Sequence, residues 1–369
     1  MGRSVYIVAG EVSGDIHAAD LLRGMLALEP DLEIHGLGGP EVQALAPQVE
    51  NWLERAAVMG VVEVLKNYSF FKEKLETTVQ DVLSKEPDFL ILVDYPGFNL
   101  RLAERVKAAN PDLRVVQYVC PQVWAWKKGR IPKIAASVDQ LLCLFPFEPK
   151  LFDSYKIDAQ FVGHPLVDEL AEKRLDVSRE ENLIGLFPGS RKREIESLFP
   201  VMLAAAENLA AKGSGLRFEV PAASPELATR LEAMIAGSAL NILITQGGSH
   251  SLMQRASCGV LASGTATLEA AFFGLPYCLM YKLAWLNYQI AKVVVTIRFI
   301  GIVNILEDRQ VVREFIQDEA NAANVEEELA RLLVDAGHRG QVEEGMRSAV
   351  SKLGKEGVRG RLAEVVLGL

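Results

Sequence analysis

The fold class is decided by two stretches of the second half, Leu186-Phe187-Pro188-Gly189-Ser190-Arg191 and Ala262-Ser263-Gly264-Thr265-Ala266-Thr267-Leu268-Glu269. Each begins as an apolar run, continues through a glycine and leads into a helical pattern. A turn of this kind predicts a β-strand followed by a helix, with backbone N–H groups free at the helix start. Such groups bind a diphosphate or a sugar hydroxyl without a metal.

The same alternation of short strands and longer helices runs through most of the chain. It predicts an α/β fold of parallel sheets covered by helices on both faces. The charged segment Val167–Glu181 is the best linker, so we expect two doubly wound domains, residues 1–168 and 169–369, facing each other across a cleft. From Val325 onward the pattern is helical, and this tail can cross back to the first domain. The predicted strands are Val5–Ala9, Glu33–Gly36, Phe89–Val93, Val115–Val119, Gln140–Leu144, Leu183–Phe187, Phe218–Val220, Ile242–Thr245, Gly259–Ala262 and Tyr277–Tyr281.

Composition narrows the function classes. A chain of 369 residues exceeds what one hydrophobic core supports. The net charge of -9 argues against a nucleic-acid partner, because binding to phosphate backbones needs a cationic face. The first apolar run is too short for a signal peptide, and no segment is predicted to span a membrane. The cysteines have no metal-ligand spacing and are expected to be buried thiols in a reducing compartment; they are Cys120, Cys143, Cys258 and Cys278.

Asp94 is the first candidate catalytic residue. It follows an apolar strand, and Pro96 prevents that strand from continuing. A partly desolvated carboxylate there can remove a proton from a hydroxyl. The alternative is a cap for the following helix, which we place at Asn99–Ala109. Asn99 is the better cap, which favours a site role for Asp94.

The turn after the first strand, Gly10-Glu11-Val12-Ser13-Gly14-Asp15, carries acids where a dinucleotide site needs glycines. It suits the binding of hydroxyl groups. The alternative is that Ser13 or Asp15 caps the following helix, and for Ser13 the capping interpretation is favoured.

In the second half, Gly189 lets a phosphate approach the backbone next to Ser190, and Arg191 offers a bidentate partner for a departing diphosphate. An ordinary strand-to-helix turn is the alternative. There is no Asp-x-Asp triplet, so we expect no metal and no cofactor. In the other turn, Ser263 or Thr265 would cap a helix. Glu269 then either accepts hydrogen bonds from the hydroxyls of a ribose or belongs to a capping box.

Two segments have an unusual composition. Trp124 and Trp126 precede a cationic run, which is typical of a surface for a sugar or an anionic head group, or of a packed loop. The segment Val58–Phe71 mixes apolar residues with lysines and fits either a helix on a bilayer or a core-facing helix. Its candidate lipid-binding residues are Val62, Leu65, Tyr68 and Phe71.

The chain resembles the lipid A disaccharide synthase family, inverting glycosyltransferases of the GT-B type, over nearly its whole length. Departures are local: Cys120 stands where relatives usually have serine, and Val303 where they have proline. The residues that carry the resemblance are Ala9–Asp15, Val58–Gly60, Asp94–Asn99, Pro121–Trp126, Phe161–Pro165, Pro188–Arg191 and Ser263–Glu269.

The resemblance implies transfer from UDP-2,3-diacylglucosamine to 2,3-diacylglucosamine 1-phosphate, with release of UDP. It implies that Asp94 is the general base, that Arg191 stabilises the leaving UDP and that Glu11 and Asn304 matter for activity. Glu314 and Gln317 fall in a segment that resembles the nucleotide-proximal region of the family, so the resemblance implies that they lie close to UDP. Acylated substrates imply a cytoplasmic enzyme bound peripherally to the inner face of the cytoplasmic membrane, which favours the lipid interpretation of Val58–Phe71. A homodimer is compatible with this interpretation.

Two alternatives remain at the level of sequence. One is another UDP-N-acetylglucosamine-dependent transferase or a UDP-sugar epimerase, which would share the turns of the second half. The other is a two-lobed ligand-binding protein without catalysis, against which the presence of Asp94 counts.

Overall fold

The computed structural model describes residues 2–56, 68–125, 128–213, 215–284, 288–289, 292, 295 and 297–368. The chain divides into two compact units. The first comprises Met1–Asp168 together with Leu353–Leu369, and the second Glu169–Lys352. In the part of the chain that is described, no helix combines the length and the apolar character needed to cross a membrane.

The first unit contains a seven-stranded parallel sheet in the order β3-β2-β1-β4-β5-β6-β7. Parallel strands need helical crossovers, and here the helices cover both faces of the sheet. The strands are β1 Ser4–Ala9, β2 Glu33–Gly38, β3 Glu50–Asn51, β4 Phe89–Val93, β5 Arg114–Tyr118, β6 Gln140–Cys143 and β7 Asp158–Phe161. The helices are α1 Val12–Leu28, α2 Pro40–Leu45, α3 Leu53–Ala56, α4 Tyr68–Lys85, α5 Pro96–Ala109, α6 Ile131–Ser137 and α7 Leu166–Ala171, which runs into the second unit.

The second unit is built around a six-stranded parallel sheet in the order β10-β9-β8-β11-β12-β13. Its strands are β8 Glu180–Phe187, β9 Arg217–Ala222, β10 Ile242–Gln246, β11 Ala256–Ala262, β12 Tyr277–Tyr281 and β13 Glu314–Ile316. Its helices are α8 Lys192–Lys212, α9 Pro225–Ile235, α10 Ser249–Arg255, α11 Thr265–Phe272, α12 Ile302–Glu307, α13 Ala322–Val334 and α14 Ala336–Ser351.

The core of the first unit shows why its strands are apolar throughout. Alternate residues of β4 enter two clusters: Ile91 and Val93 pack on the side of α1, whereas Leu90 and Leu92 pack on the side of α5. A strand covered on both faces must bury every side chain, which explains the continuous apolar runs read in the sequence. The last helix, α15 Val358–Leu367, belongs to the α1 side of this core.

The two parallel-sheet domains expected from the sequence are thus present. All ten predicted strands form, and the short strands β3, β7 and β13 are additional. The strand order places a topological switch point in each sheet, between β1 and β4 in the first unit and between β8 and β11 in the second. Ligands of such sheets bind outside the carboxyl ends of the strands at these points.

Candidate active site

In the first unit, Asp94 lies at the switch point. β1 and β4 are hydrogen-bonded neighbours, with Ala9 opposite Val93, so the turns after both strands leave the same edge of the sheet. Asp94 and Tyr95 both have a φ of 47°, a left-handed conformation that costs free energy in residues other than glycine. Strain of this kind clusters at functional sites.

The surrounding structure fixes this turn. The backbone N–H of Asp94 donates to the carbonyl of Tyr118 over 2.9 Å. The side-chain amide of Asn99 donates to the carbonyls of Val93 and Asp94 over 3.2 and 2.8 Å. Gln117 adds a hydrogen bond of 3.3 Å to the carbonyl of Asp94. The left-handed turn is therefore held from two other elements, β5 and α5.

The half-buried carboxyl of Asp94 has a raised pKa. Burial is the main cause, and the hydrogen bond from the backbone of Tyr95 opposes it in part. A carboxylate whose pKa rises toward the working pH is a stronger base than an exposed one. The geometry and the electrostatics at this position both suit proton removal.

Asn99 is not the helix cap that the sequence predicted. Helix α5 begins three residues earlier, at Pro96, and its N-cap is Tyr95, which makes no side-chain capping bond. Proline at the first helical position has the φ that a helix needs, so the helix starts there. Asp94 precedes the cap, so the interpretation of Asp94 as the N-cap is also wrong.

The turn after β1 contains one acidic side chain with a structural role and two polar side chains that are exposed. Helix α1 begins at Val12, so Glu11 is its N-cap position, and Ser13 lies inside the first turn, exposed and not capping. The prediction that Ser13 caps this helix is wrong. Asp15 is buried and accepts the backbone N–H groups of Gly39 and Glu41 over 2.7 and 2.9 Å. Asp15 thus ties the turn to α2, whereas Glu11 and Ser13 are exposed.

The predicted lipid-binding residues are described only in part. Val62, Leu65 and Trp126 lie outside the described residues. Tyr68 begins α4 with 57% of its surface exposed, and Phe71 is half-buried against Phe70. Trp124 is half-buried, and its ring N–H donates to Glu148 over 3.0 Å, so its polar edge is satisfied inside the unit.

In the second unit, both glycine turns lie at the switch point. Phe187 of β8 is opposite Leu261 of β11, so the turns that follow them emerge from adjacent strands. Gly189 has a φ of +101°, and a Cβ there would lie 2.3 Å from a carboxylate oxygen of Glu194. Only glycine fits this turn, which brings the backbone to the start of the long helix α8.

Arg191 is the N-cap residue of α8, and its side chain is 64% exposed. Its guanidinium forms one ion pair with Glu194 over 3.2 Å. An exposed ion pair contributes little to stability, so an incoming anion can take over this guanidinium at small cost. The positive end of the α8 dipole acts at the same place.

Glu269 lies in the second turn of α11 rather than in a capping box. The N-cap of α11 is Gly264, and neither Ser263 nor Thr265 caps it, which corrects both capping predictions. Carboxylate oxygen Oε2 of Glu269 lies 3.0 Å from Nε2 of His250, a residue of α10 that the sequence analysis missed. The only sequence signal was its place in a Gly-Gly-Ser-His turn after β10.

Asn304 and Glu314 form a hydrogen-bonded network. The side-chain amide of Asn304, fully buried, donates to Glu314 over 2.7 Å, and its oxygen accepts the N–H groups of Val311 and Val312. Glu314 also accepts the backbone N–H of Gly301 over 2.9 Å. These residues position backbone between α12 and β13.

Gln317, the third residue of this region, has a φ of 54° and makes two hydrogen bonds with the backbone of Leu283.

Comparison with known proteins decides the family. A family model described as lipid-A-disaccharide synthetase matches residues 5–366. The lipid-A-disaccharide synthase of Geobacter sulfurreducens is 38% identical over 98% of this chain and 96% of its own length. The chain belongs to the lipid-A-disaccharide synthase family. It is accordingly a glycosyltransferase of lipid A biosynthesis, as the resemblance implied.

Other members agree, and solved structures support the fold. The synthases of Azotobacter vinelandii and Myxococcus xanthus are 39% and 33% identical over 91% and 99% of this chain, and over 90% and 97% of their own lengths. A UDP-GlcNAc 2-epimerase from Neisseria meningitidis bound to UDP-GlcNAc has a TM-score of 0.57 at 12% identity, covering 99% of this chain and 98% of that one. The calicheamicin glycosyltransferase CalG4 has a TM-score of 0.58 at 13% identity, covering 100% and 98%. At such identities these structures show the GT-B fold alone, so the lipid-A-disaccharide synthase family assignment rests on the sequence matches.

Proposed function

We propose that this enzyme transfers the sugar of UDP-2,3-diacylglucosamine to the 6-hydroxyl of 2,3-diacylglucosamine 1-phosphate. The products are a β-1,6-linked disaccharide 1-phosphate and UDP. The observation that carries the proposal is the carboxyl of Asp94, partly desolvated and held in a strained turn at the switch point of the first sheet. Family membership supplies the reaction class, and the site chemistry supplies the roles.

In the first unit, Asp94 accepts the proton of the acceptor hydroxyl while its oxygen attacks the anomeric carbon. The bond from that carbon to the diphosphate breaks, and its electron pair leaves with UDP, so the configuration inverts. Glu11 and Ser13 are exposed beside this turn and suit hydrogen bonds to acceptor hydroxyls. The fixed backbone holds the Cα and Cβ of Asp94 in place, which reduces the reorganisation needed for the reaction.

In the second unit, the N–H groups at the starts of α8 and α11 bind the diphosphate, and Arg191 neutralises charge as UDP departs. Glu269 accepts hydrogen bonds from the ribose hydroxyls. Asn304, Glu314 and Gln317 shape the neighbouring backbone through the hydrogen bonds described above. These groups replace the divalent ion that other transferases use, so the reaction proceeds without a metal.

We further propose peripheral binding to the cytoplasmic face of the membrane, because the acylated substrates reside in a lipid phase. Exposed Tyr68 at the start of α4, next to Phe70 and Phe71, suits insertion among head groups. Flotation with anionic vesicles, comparing Tyr68→Ala with the parent protein, tests this attachment. The homodimer expected from the resemblance stays a prediction, which light scattering tests.

Two variants test the division of roles. Asp94→Ala should abolish disaccharide formation while UDP binding persists, because Asp94 acts only on the acceptor. Arg191→Ala should weaken both UDP binding and turnover. Product is detected by mass spectrometry with acylated and deacylated donors, and UDP binding by calorimetry. Asp153→Ala, an exposed aspartate of the first unit, is the matched control and should behave as the parent.

Near-normal turnover of Asp94→Ala would remove this residue from the mechanism. Conversion of a deacylated UDP-sugar to its epimer would point to the epimerase alternative. Stoichiometric retention of ligand with no product would favour a binding protein.

A further inference from the structure

The first unit contains a second cluster of side chains, which the proposed transfer reaction does not use. Cys120 follows β5, Cys143 ends β6, and Glu148 lies in the turn after β6. One ligand atom from each, the two thiol sulfurs and a carboxylate oxygen, lies within 4.8 Å of the others, and all three residues are buried. The cause is strand pairing, because β5 and β6 are neighbours with Tyr118 opposite Leu142.

The carboxylate of this cluster is held by fixed donors. One oxygen of Glu148 accepts the ring N–H of Trp124 over 3.0 Å. The other accepts the backbone N–H groups of Leu144 and Phe145 over 3.1 and 3.0 Å. Outer hydrogen bonds of this kind orient the ligands of metal sites. A carboxylate retains lone pairs beyond these three bonds, so Glu148 can also coordinate an ion.

The two thiols form only weak hydrogen bonds to backbone carbonyls. Cys120 Sγ lies 3.4 Å from the carbonyl oxygen of Pro121, and Cys143 Sγ lies 3.9 Å from that of Leu141. Thiols are poor hydrogen-bond donors, so losing these contacts costs little. As thiolates they are strong ligands for soft divalent ions. A hard ion such as Mg²⁺ prefers oxygen ligands and would bind here weakly.

We propose that Cys120, Cys143 and Glu148 form a binding site for a thiophilic divalent cation of the Zn²⁺ class. Binding displaces one proton from each thiol, so that two sulfur–metal bonds replace two S–H bonds with no change of oxidation state. The bound ion joins the segment that carries Trp124 to the end of β6. The site is independent of the sugar-transfer proposal. Sequence spacing gave no sign of it, because its ligands come from the segment after β5, the end of β6 and the turn that follows β6.

Cadmium is a suitable probe, since its thiolate complexes absorb in the ultraviolet through sulfur-to-metal charge transfer. We expect reduced, metal-free, full-length protein to develop this band on titration with Cd²⁺ and to saturate at one ion per chain. A large excess of Zn²⁺ should weaken the band, because both ions compete for the same thiolates and Cd²⁺ is the softer of the two. The protein should also melt at a higher temperature with either ion.

Variants locate the site. Cys120→Ser should lose most of the band. Trp124→Phe keeps both thiols but removes one hydrogen bond to Glu148, so it should weaken the affinity for Cd²⁺ by about tenfold or more. The double variant Cys258→Ala/Cys278→Ala, which removes the other two buried cysteines, should bind as the parent does.

Absence of a band in the parent protein would overturn the proposal. So would a band that saturates only at many ions per chain, or one lost in the Cys258→Ala/Cys278→Ala variant. If Cys120→Ser fails to fold, judged by circular dichroism, the Trp124→Phe titration decides. Unchanged affinity for Cd²⁺ in that variant would overturn the three-ligand site, because Glu148 is one of its ligands.

Discussion

At the scale of single residues, Asp94 combines a strained backbone conformation with a carboxylate charge that burial disfavours. Its pKa is raised in the folded protein by burial, so the folded state binds this proton more tightly than the unfolded chain does. The contribution of Asp94 to the unfolding free energy is therefore greatest below its unfolded pKa. That contribution falls as the pH rises through the unfolded and then the raised folded pKa.

Asp94→Asn should consequently be more stable than the parent at neutral pH and equal to it in acid. Asparagine has the same shape and tolerates a left-handed φ as well as aspartate does, so the backbone turn is retained. Thermal melts of both proteins across the acidic range measure the difference. A variant that is less stable at neutral pH would show that the carboxylate is stabilising, contrary to its raised pKa.

The pair of His250 and Glu269 gives a second prediction at this scale. If His250 holds Glu269 in place for the ribose, His250→Ala should raise the KM for the UDP-sugar by about tenfold, with little change in kcat, because one hydrogen bond to a charged group is lost. His250→Gln, which can still donate, should recover most of the affinity. A purely structural histidine would instead lower the melting temperature of His250→Ala and leave its KM unchanged.

At the scale of elements, the turn between β8 and α8 depends on glycine. Gly189→Ala should destabilise the protein by about 1–2 kcal/mol, the cost of a left-handed alanine, and should weaken UDP binding by displacing Glu194. Gly213→Ala is the matched control at the other end of α8, where φ is -142° and a Cβ would meet nothing within 4 Å. Urea unfolding and UDP calorimetry compare the two variants. Equal effects at both positions would show that the turn geometry does not matter.

Elements also show where the sequence was sufficient. Continuous apolar runs predicted every central strand, because a strand buried on both faces leaves no other pattern. Helix starts were predicted less well. Asn99 and Asp15 are typical capping residue types, yet their side chains bind backbone of other elements, β4 and the start of α2. A local pattern cannot distinguish a cap from a partner that only folding brings close.

The same limit applied to the candidate site. Asp94 and both glycine turns were found because each lies at the end of a strand. His250 was missed because its partner Glu269 lies 19 positions further along the chain, on the other side of β11, so no local pattern links the two residues.

At the scale of the whole chain, the first unit is closed by residues from the far end of the sequence. Leu362 and Val366 of α15 enter the same cluster as Leu22 and Met25 of α1. The carboxylate of Asp168 accepts hydrogen bonds from backbone N–H groups at the start of α15. One of them comes from Gly357 over 2.7 Å. The sequence predicted a helical tail but could not say which surface it covers, since an apolar helix face fits many partners.

The contact between α1 and α15 predicts that a Gly→Ala substitution changes stability in opposite directions in the two helices. A Cβ at Gly24 would lie 2.9 Å from the carbonyl oxygen of Arg359 and 3.0 Å from the Cβ of Ala363, so Gly24 lets the two helices approach closely. Gly360 lies in α15 itself, and a Cβ there meets nothing within 4 Å. Gly24→Ala should therefore destabilise the protein by about 1–3 kcal/mol through overpacking. Gly360→Ala should stabilise it by about 0.5–1 kcal/mol through higher helix propensity.

Urea midpoints of the two variants, read by far-ultraviolet circular dichroism, should move in opposite directions from the parent protein. Both changes add one methyl group to a helix, so propensity alone would shift both midpoints upward. A fall for Gly24→Ala alone therefore measures the packing of α15 on α1 in solution. If Gly24→Ala gained as much stability as Gly360→Ala, the end of the chain would not lie against the first helix, and residues 353–369 would have to be removed from the first unit.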